Sequence, residues 1–177
     1  MSRVLVFIAS SLDGFIAGPN DEIDWLPSDA GQVEDTFSPF FGQVGAMLMG
    51  RRTFDMVETF QEWPYGTTPV LVATSQHLAS PRASVRAANG TIEEVVDQAK
   101  RAAGSRDVYL DGGALIRSAL DARLIDEITV TLVPIVLGQG LPLFAGATRA
   151  CPLQLLGSRN IGGGLVELKY DFAEERI

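Results

Sequence analysis

The sequence predicts a single α/β domain on a mixed, mostly parallel sheet, with an antiparallel hairpin at its C-terminal end. Three observations carry that prediction. Short apolar runs bounded by turn residues alternate with amphipathic stretches through most of the chain. Several strand-like runs pass directly into helix-like ones, as crossover helices between parallel strands do. The last two runs, Leu153 to Asn160 and Leu165 to Phe172, are separated only by Ile161-Gly162-Gly163-Gly164 and read as a hairpin.

The elements follow in order. Val4 to Ala9 is β-rich and apolar on both faces, as a central strand is. Asp13-Gly14 marks a turn within Ser11 to Ile16, and a polar loop follows from Gly18 to Asp24. A helix is expected between Ser28 and Phe41, capped by Ser28 or Asp29. Val44 to Met49 reads as a second buried strand, and Arg51 to Phe60 has helical spacing. Pro69 to Ala73 is a short strand. Thr91 to Ala103 is a helix with Thr91 at its cap and Glu94 closing a capping box. Asp107 to Leu110 is a strand, after which Gly112-Gly113 opens a helix from Ala114 to Leu120. Ile128 to Val136 is strongly β-branched, with Pro134 expected at a bend or edge because it cannot donate to a ladder.

Composition bounds the function. The chain has 177 residues, 46% of them hydrophobic and 20% charged, which is the composition of a packed globular protein. Twenty-two acids against 14 bases give a net charge of -8, which argues against nucleic-acid binding but leaves room for a local basic pocket. A lone cysteine, Cys151, excludes an intramolecular disulfide and a cysteine-cluster metal site. A lone histidine, His77, removes His-rich metal sites and argues against a serine–histidine triad. No run of about 18 apolar residues is present, and the N-terminus carries no cleavage-site pattern. A cytoplasmic protein without membrane or metal is expected.

Three strand-to-helix junctions draw the eye. Met49-Gly50-Arg51-Arg52-Thr53-Phe54 joins a close-approach glycine to two cations and a hydroxyl at a helix start, a pattern that suits a phosphate. A capped helix with solvated arginines satisfies the same residues. Asp111-Gly112-Gly113-Ala114-Leu115-Ile116 places paired glycines where backbone can meet a pyrophosphate, or where a tight turn alone is needed. Thr74-Ser75 ends a strand with hydroxyls, the common dress of a turn cap.

Taken together these residues resemble a known family. Ile8-Ala9-Ser10-Ser11-Leu12-Asp13-Gly14-Phe15-Ile16-Ala17 resembles the opening of the dihydrofolate reductase-like superfamily. The Gly50–Thr53 segment is similar to its phosphate segment, and Asp111-Gly112-Gly113-Ala114-Leu115 to its Gly-Gly turn. Pro134-Ile135-Val136-Leu137-Gly138-Gln139-Gly140-Leu141-Pro142-Leu143-Phe144 looks like the branch containing the RibD C-terminal domain. The resemblance runs from about Val4 to Phe172.

It implies a three-layer α/β/α domain and an NADPH-dependent reductase. The reaction would resemble that of the riboflavin-pathway 5-amino-6-(5-phosphoribosylamino)uracil reductase, with a small heterocyclic or sugar-derived carbonyl or imine as substrate. Residue by residue, Ala9, Ile16 and Ala17 would border the nicotinamide, and Gly50, Arg51, Arg52 and Thr53 would hold phosphates. Ser75 would lie near the adenosine ribose or its 2′-phosphate. Gly112, Gly113, Ala114, Leu115 and Ile116 would pass beside the pyrophosphate and nicotinamide. Asp13, Asp29 or a water would deliver the proton. Dihydrofolate or pteridine reduction, and a non-catalytic nucleotide-binding protein on the same fold, remain alternatives. The resemblance and the apolar C-terminal strands together imply a homodimer.

Overall fold

The computed structural model describes residues 1–27, 32–80 and 82–172. Eight strands form one sheet. In chain order its elements are β1 (Val4–Ser11), α1 (Phe37–Phe41), β3 (Val44–Gly50), α2 (Arg51–Val57), β4 (Val70–Ala73), β5 (Val85–Ala88), α3 (Ile92–Ala103), β6 (Asp107–Asp111), α4 (Gly113–Asp121), β7 (Glu127–Val133), β9 (Leu153–Gly162) and β10 (Leu165–Phe172). The short strands β2 (Phe15–Ala17) and β8 (Leu141–Pro142) pair separately. Sheet order is β5-β4-β3-β6-β1-β7-β10-β9. The first six strands of that order run parallel; β7–β10 and β10–β9 are antiparallel. The fold class is the one expected.

Both faces of the parallel part are covered. On one face, α3 and α4 press Val95, Val96, Ala99, Ile116 and Ala119 onto Val4, Val6, Leu48, Leu110 and Ile128. On the other, Phe40 of α1 and Phe54 and Val57 of α2 pack on Leu5, Met47, Met49, Val72 and Tyr109. Strands buried on two sides need apolar residues at consecutive positions, which is why Val44 to Met49 shows no alternation. Helix α3 closes as its sequence predicts: Thr91 Oγ1 accepts from the Glu94 N–H while the Glu94 carboxylate accepts from the Thr91 N–H.

Three expectations are corrected. The helix placed over Ser28 to Phe41 is the single turn Phe37–Phe41 with Thr36 at its cap; of its span, residues 28–31 fall outside the described residues. Val33 instead bridges to Gly162, and the Glu34 N–H donates to the Ile161 carbonyl, so tertiary pairing draws this segment into extended backbone. Helix α2 stops at Val57 rather than Phe60. Strand β7 stops at Val133, immediately before Pro134, where the ladder loses a donor. Strands β2, β5 and β8, of two to four residues, were not foreseen.

Candidate cofactor and substrate cleft

Parallel strands deliver their C-terminal ends to one edge, where open α/β sheets place their ligand crevices. Here the ends of β1, β3, β4 and β6 surround a cleft of about 550 Å³. Ala9, Ile16 and Ala17 line it from the β1–β2 unit; Gly50, Arg51, Arg52 and Thr53 from the β3–α2 junction; Gly112, Gly113, Ala114 and Leu115 from the β6–α4 junction. Eleven of the residues singled out in the sequence, spread over more than 100 positions, thus share one wall-to-wall space.

The two junctions face each other at contact distance. Gly112 has φ of 105°, a backbone conformation that favours glycine, and a Cβ there would sit 2.7 Å from Thr53 Oγ1. Gly113 is the first residue of α4 and owes its identity to space: a Cβ would approach Ile16 Cδ1 at 2.9 Å and the Pro142 carbonyl oxygen at 3.2 Å. Only one glycine of the pair therefore uses left-handed backbone. Gly50, by contrast, has φ of -71°, and a Cβ on it would meet nothing within 4 Å. The room it leaves opens beside the arginines.

Charge at this wall comes from side chains. With seven residues, α2 contributes little helix-dipole field, so Arg51 and Arg52 carry the positive potential. Each already has an acidic partner. Arg51 Nε lies 2.7 Å from Asp55 Oδ1, four residues along α2, and its Nη1 donates to the His77 carbonyl at 3.1 Å. Arg52 Nε lies 2.7 Å from Asp21 Oδ1 across the cleft mouth. Two cations and a threonine thus stand side by side in sequence on this wall.

Other predicted residues sit apart. Ser75 is exposed in the loop after β4 and does not line the cleft, though the same loop gives Arg51 its His77 contact. Ile116 is fully buried in the α4 core layer and faces the sheet, not the cleft. Asp13 accepts from the Ser11 hydroxyl at 2.7 Å and from the Leu137 and Gly138 N–H groups at 3.1 and 2.7 Å. The Ser11 bond first, then those backbone donors, hold its carboxyl below the usual range, so Asp13 ties the β1–β2 turn to the segment after β7. Asp29 lies outside the described residues.

A different carboxylate lines the cleft. Asp111, the last residue of β6, accepts the Gly112 N–H at 2.8 Å, yet burial pushes its carboxyl up to about 6. Its sequence signal was an acid closing an apolar strand directly before Gly-Gly, a costly place for a charge unless it is used. Arg117 also lines the space and donates through Nη1 to the Pro142 carbonyl at 2.5 Å. Its spacing of four from Gly113 on α4 was the available clue. Tyr65 and Phe60, which complete the wall, carried no local signal.

Comparison with known proteins gives this geometry its context. The chain is 31% identical to YwjB of Bacillus subtilis (strain 168) over 170 residues, covering 95% of this chain and 97% of that one. It is 30% identical to YyaP of the same organism over 182 residues, covering 95% and 94%. The crystal structure of a Shewanella sp. PV-4 protein assigned to riboflavin biosynthesis superposes with a TM-score of 0.86 at 32% identity, over 97% of this chain and 99% of that one. The diaminohydroxyphosphoribosylaminopyrimidine deaminase/5-amino-6-(5-phosphoribosylamino)uracil reductase of Thermotoga maritima shares the fold, with a TM-score of 0.72 at 15% identity; this chain spans 57% of its length. The RibD C-terminal domain model matches residues 2–167. The chain belongs to the RibD C-terminal domain family.

Proposed function

We propose that the protein is an NADPH-dependent reductase of a small heterocyclic or sugar-derived carbonyl or imine, akin to the uracil reductases of riboflavin biosynthesis. The observation that carries this reading is the convergence of the Gly50–Thr53 and Gly112–Leu115 junctions on one cleft with Arg51 and Arg52 on its wall. The residues fit the cofactor. Gly50 leaves open space where a side chain would otherwise project, and Gly112 lets backbone and the Thr53 hydroxyl close together.

When bound, the nicotinamide supplies the hydride. The chain does the rest. Arg51, Arg52 and Thr53 would hold phosphate oxygens through charge-assisted hydrogen bonds, and the loop carrying Ser75 lies on the Arg51 side, where His77 meets the guanidinium. Ala9, Ile16 and Ala17 form an apolar floor that excludes water from the reacting ring. Asp111 stands in the cleft wall with a carboxyl that burial raises to about 6, which supports giving it the proton-delivery role that the sequence left between Asp13, Asp29 and water.

We also propose a homodimer, on a revised motive. Strand β7 lies inside the sheet between β1 and β10 and is buried, so it offers no free surface. The edge strand β9 is exposed from Leu153 to Asn160 and bears Leu153, Leu155 and Leu156. Its one charged side chain, Arg159, is already paired with Glu34 and Glu167, so this edge presents little unbalanced charge to a second copy.

Fluorescence titration and an oxidation assay test the enzyme reading. NADPH binds more tightly than NADH, and Arg52→Ala weakens NADPH about tenfold, the loss of one charge-assisted contact. NADPH oxidation appears with a member of a pteridine and ribosylaminopyrimidine panel. Equal affinity for the two cofactors, unchanged in Arg52→Ala, overturns the assignment.

A further inference from the structure

Arg51 and Arg52 both face the cleft and both hold carboxylates, but their partners differ in kind. Asp55 belongs to α2 itself, four residues from Arg51, and travels with the helix. Asp21 comes from a separate loop, 31 residues away in sequence from Arg52, and it too lines the cleft. Its two carboxylate oxygens sit 2.7 and 2.8 Å from Arg52 Nε. An incoming phosphate needs the same guanidinium.

The loop is built to hold that carboxylate in place. The Gly18 N–H donates to the Glu22 carbonyl at 2.8 Å, and the Asp21 N–H donates to the Gly18 carbonyl at 3.2 Å. Asn20 donates to the Glu22 carboxylate twice, through its backbone N–H and its Nδ2, at 2.8 Å each. Within this turn Asp21 has φ of 67°, the left-handed conformation that Asp and Asn tolerate better than most side chains. The strained residue is thus the one whose charge reaches across the cleft mouth.

We propose that Asp21 is a positioning residue that competes with the cofactor's phosphate for Arg52. In the free protein it aims the guanidinium into the cleft and neutralises it; on binding, the phosphate displaces the carboxylate. The consequence is a threshold: a polyanionic ligand displaces Asp21, whereas a neutral nucleoside or a weakly charged ligand does not. The inference rests on the reading of the cleft as a phosphate-binding cofactor site. The pair is part-exposed, with the Arg52 side chain 61% accessible, so the competition is modest in size.

Asp21→Asn isolates the charge, because asparagine keeps the turn's left-handed backbone and a carbonyl oxygen. By fluorescence titration at about 20 mM salt, this variant binds NADPH about threefold more tightly than the parent. Raising the salt to about 0.5 M shrinks the gain, as screening requires. In an Arg52→Ala background, Asp21→Asn gives no gain. A merely structural role for Asp21 gives the opposite sign, weaker binding once its strap to α2 is cut. Equal or weaker binding by Asp21→Asn overturns the proposal, as does a gain of the same size with Arg52 absent. If the parent binds no NADPH at all, the cofactor reading itself falls; if it binds normally and Asp21→Asn changes nothing, only the competition falls.

Discussion

The parallel strands β5-β4-β3-β6-β1-β7 and the antiparallel pair β10-β9 belong to one sheet but live in different surroundings. The parallel part lies between two layers of helix, and residues such as Leu5, Leu48, Met49 and Leu110 are fully buried. No described helix packs over β9, and Leu155 there is 53% exposed. The parallel part also brings the Gly50–Thr53 and Gly112–Leu115 junctions to the cleft, since crossover connections put every strand's C-terminal end, and every following turn, on the same edge. A hairpin returns its chain through the sheet and brings no second junction to that edge. Burial and the candidate cleft thus go together in one region, while the edge strand of the other keeps an unpaired ladder and exposed apolar side chains.

Three measurements sharpen this contrast, the largest effect first. Leu48→Ala in the parallel core costs about 2–5 kcal/mol, because it removes dispersion contacts and leaves a cavity in a packed interior. Leu155→Ala on β9 stays within about 0.5 kcal/mol. Urea unfolding measures both, with the midpoint shifting and the slope constant in the core variant. Similar losses at both sites would erase the distinction between the regions.

The second lies at the junction of core and cleft. Burial raises the Asp111 carboxyl from 3.8 to about 6, so the folded protein takes up a proton more readily than the unfolded chain. Stability contributed by this residue is therefore greatest below pH of about 4 and falls as pH rises toward 6. Above that, the cost is fully present, of order 3 kcal/mol. Asp111→Asn, which keeps the acceptor for the Gly112 N–H, removes that cost and is more stable than the parent at pH 7. Thermal melts of both proteins from pH 4 to 8 test it; parallel curves would mean that Asp111 titrates normally. The same variant loses reductase turnover if the proton passes through Asp111, which separates the stability role from the chemical one.

The smallest effect on the folded protomer is expected on the hairpin. Leu155→Glu changes little within one chain but places a charge at the proposed two-fold contact. Light scattering at micromolar concentration gives a mass near twice 19.0 kDa for the parent and near 19.0 kDa for the variant. A parent mass of one chain rejects the dimer.

Much of this was legible beforehand because its causes are local. Consecutive apolar positions from Val44 to Met49 suit a strand buried on both faces, and Thr91 with Glu94 can cap a helix without help from elsewhere. Gly-Arg-Arg-Thr and Asp-Gly-Gly mark junctions by their own conformational and charge chemistry. What escaped depends on neighbours distant in sequence. The segment before Phe37 is extended where it meets Gly162 and Ile161 of β9, and no propensity within residues 32–36 encodes that partner. Asp13 could be read as a turn cap or as a chemical carboxylate, and the backbone donors it meets, Leu137 and Gly138, lie more than 120 residues away.

The sequence by itself determined the class of fold, the order of its main elements and the two glycine-bearing junctions that line the cleft, since turns, caps and apolar runs act over a few residues. Tertiary structure alone decided which side chains share a space. It set Asp111 rather than Asp13 in the cleft wall, turned Ile116 into the core and brought Asp21 across to Arg52. The physical reason is range. Backbone preference and hydrophobic period are properties of a short window, whereas burial, a raised carboxyl and an ion pair across a cleft exist only once separate strands have been laid side by side.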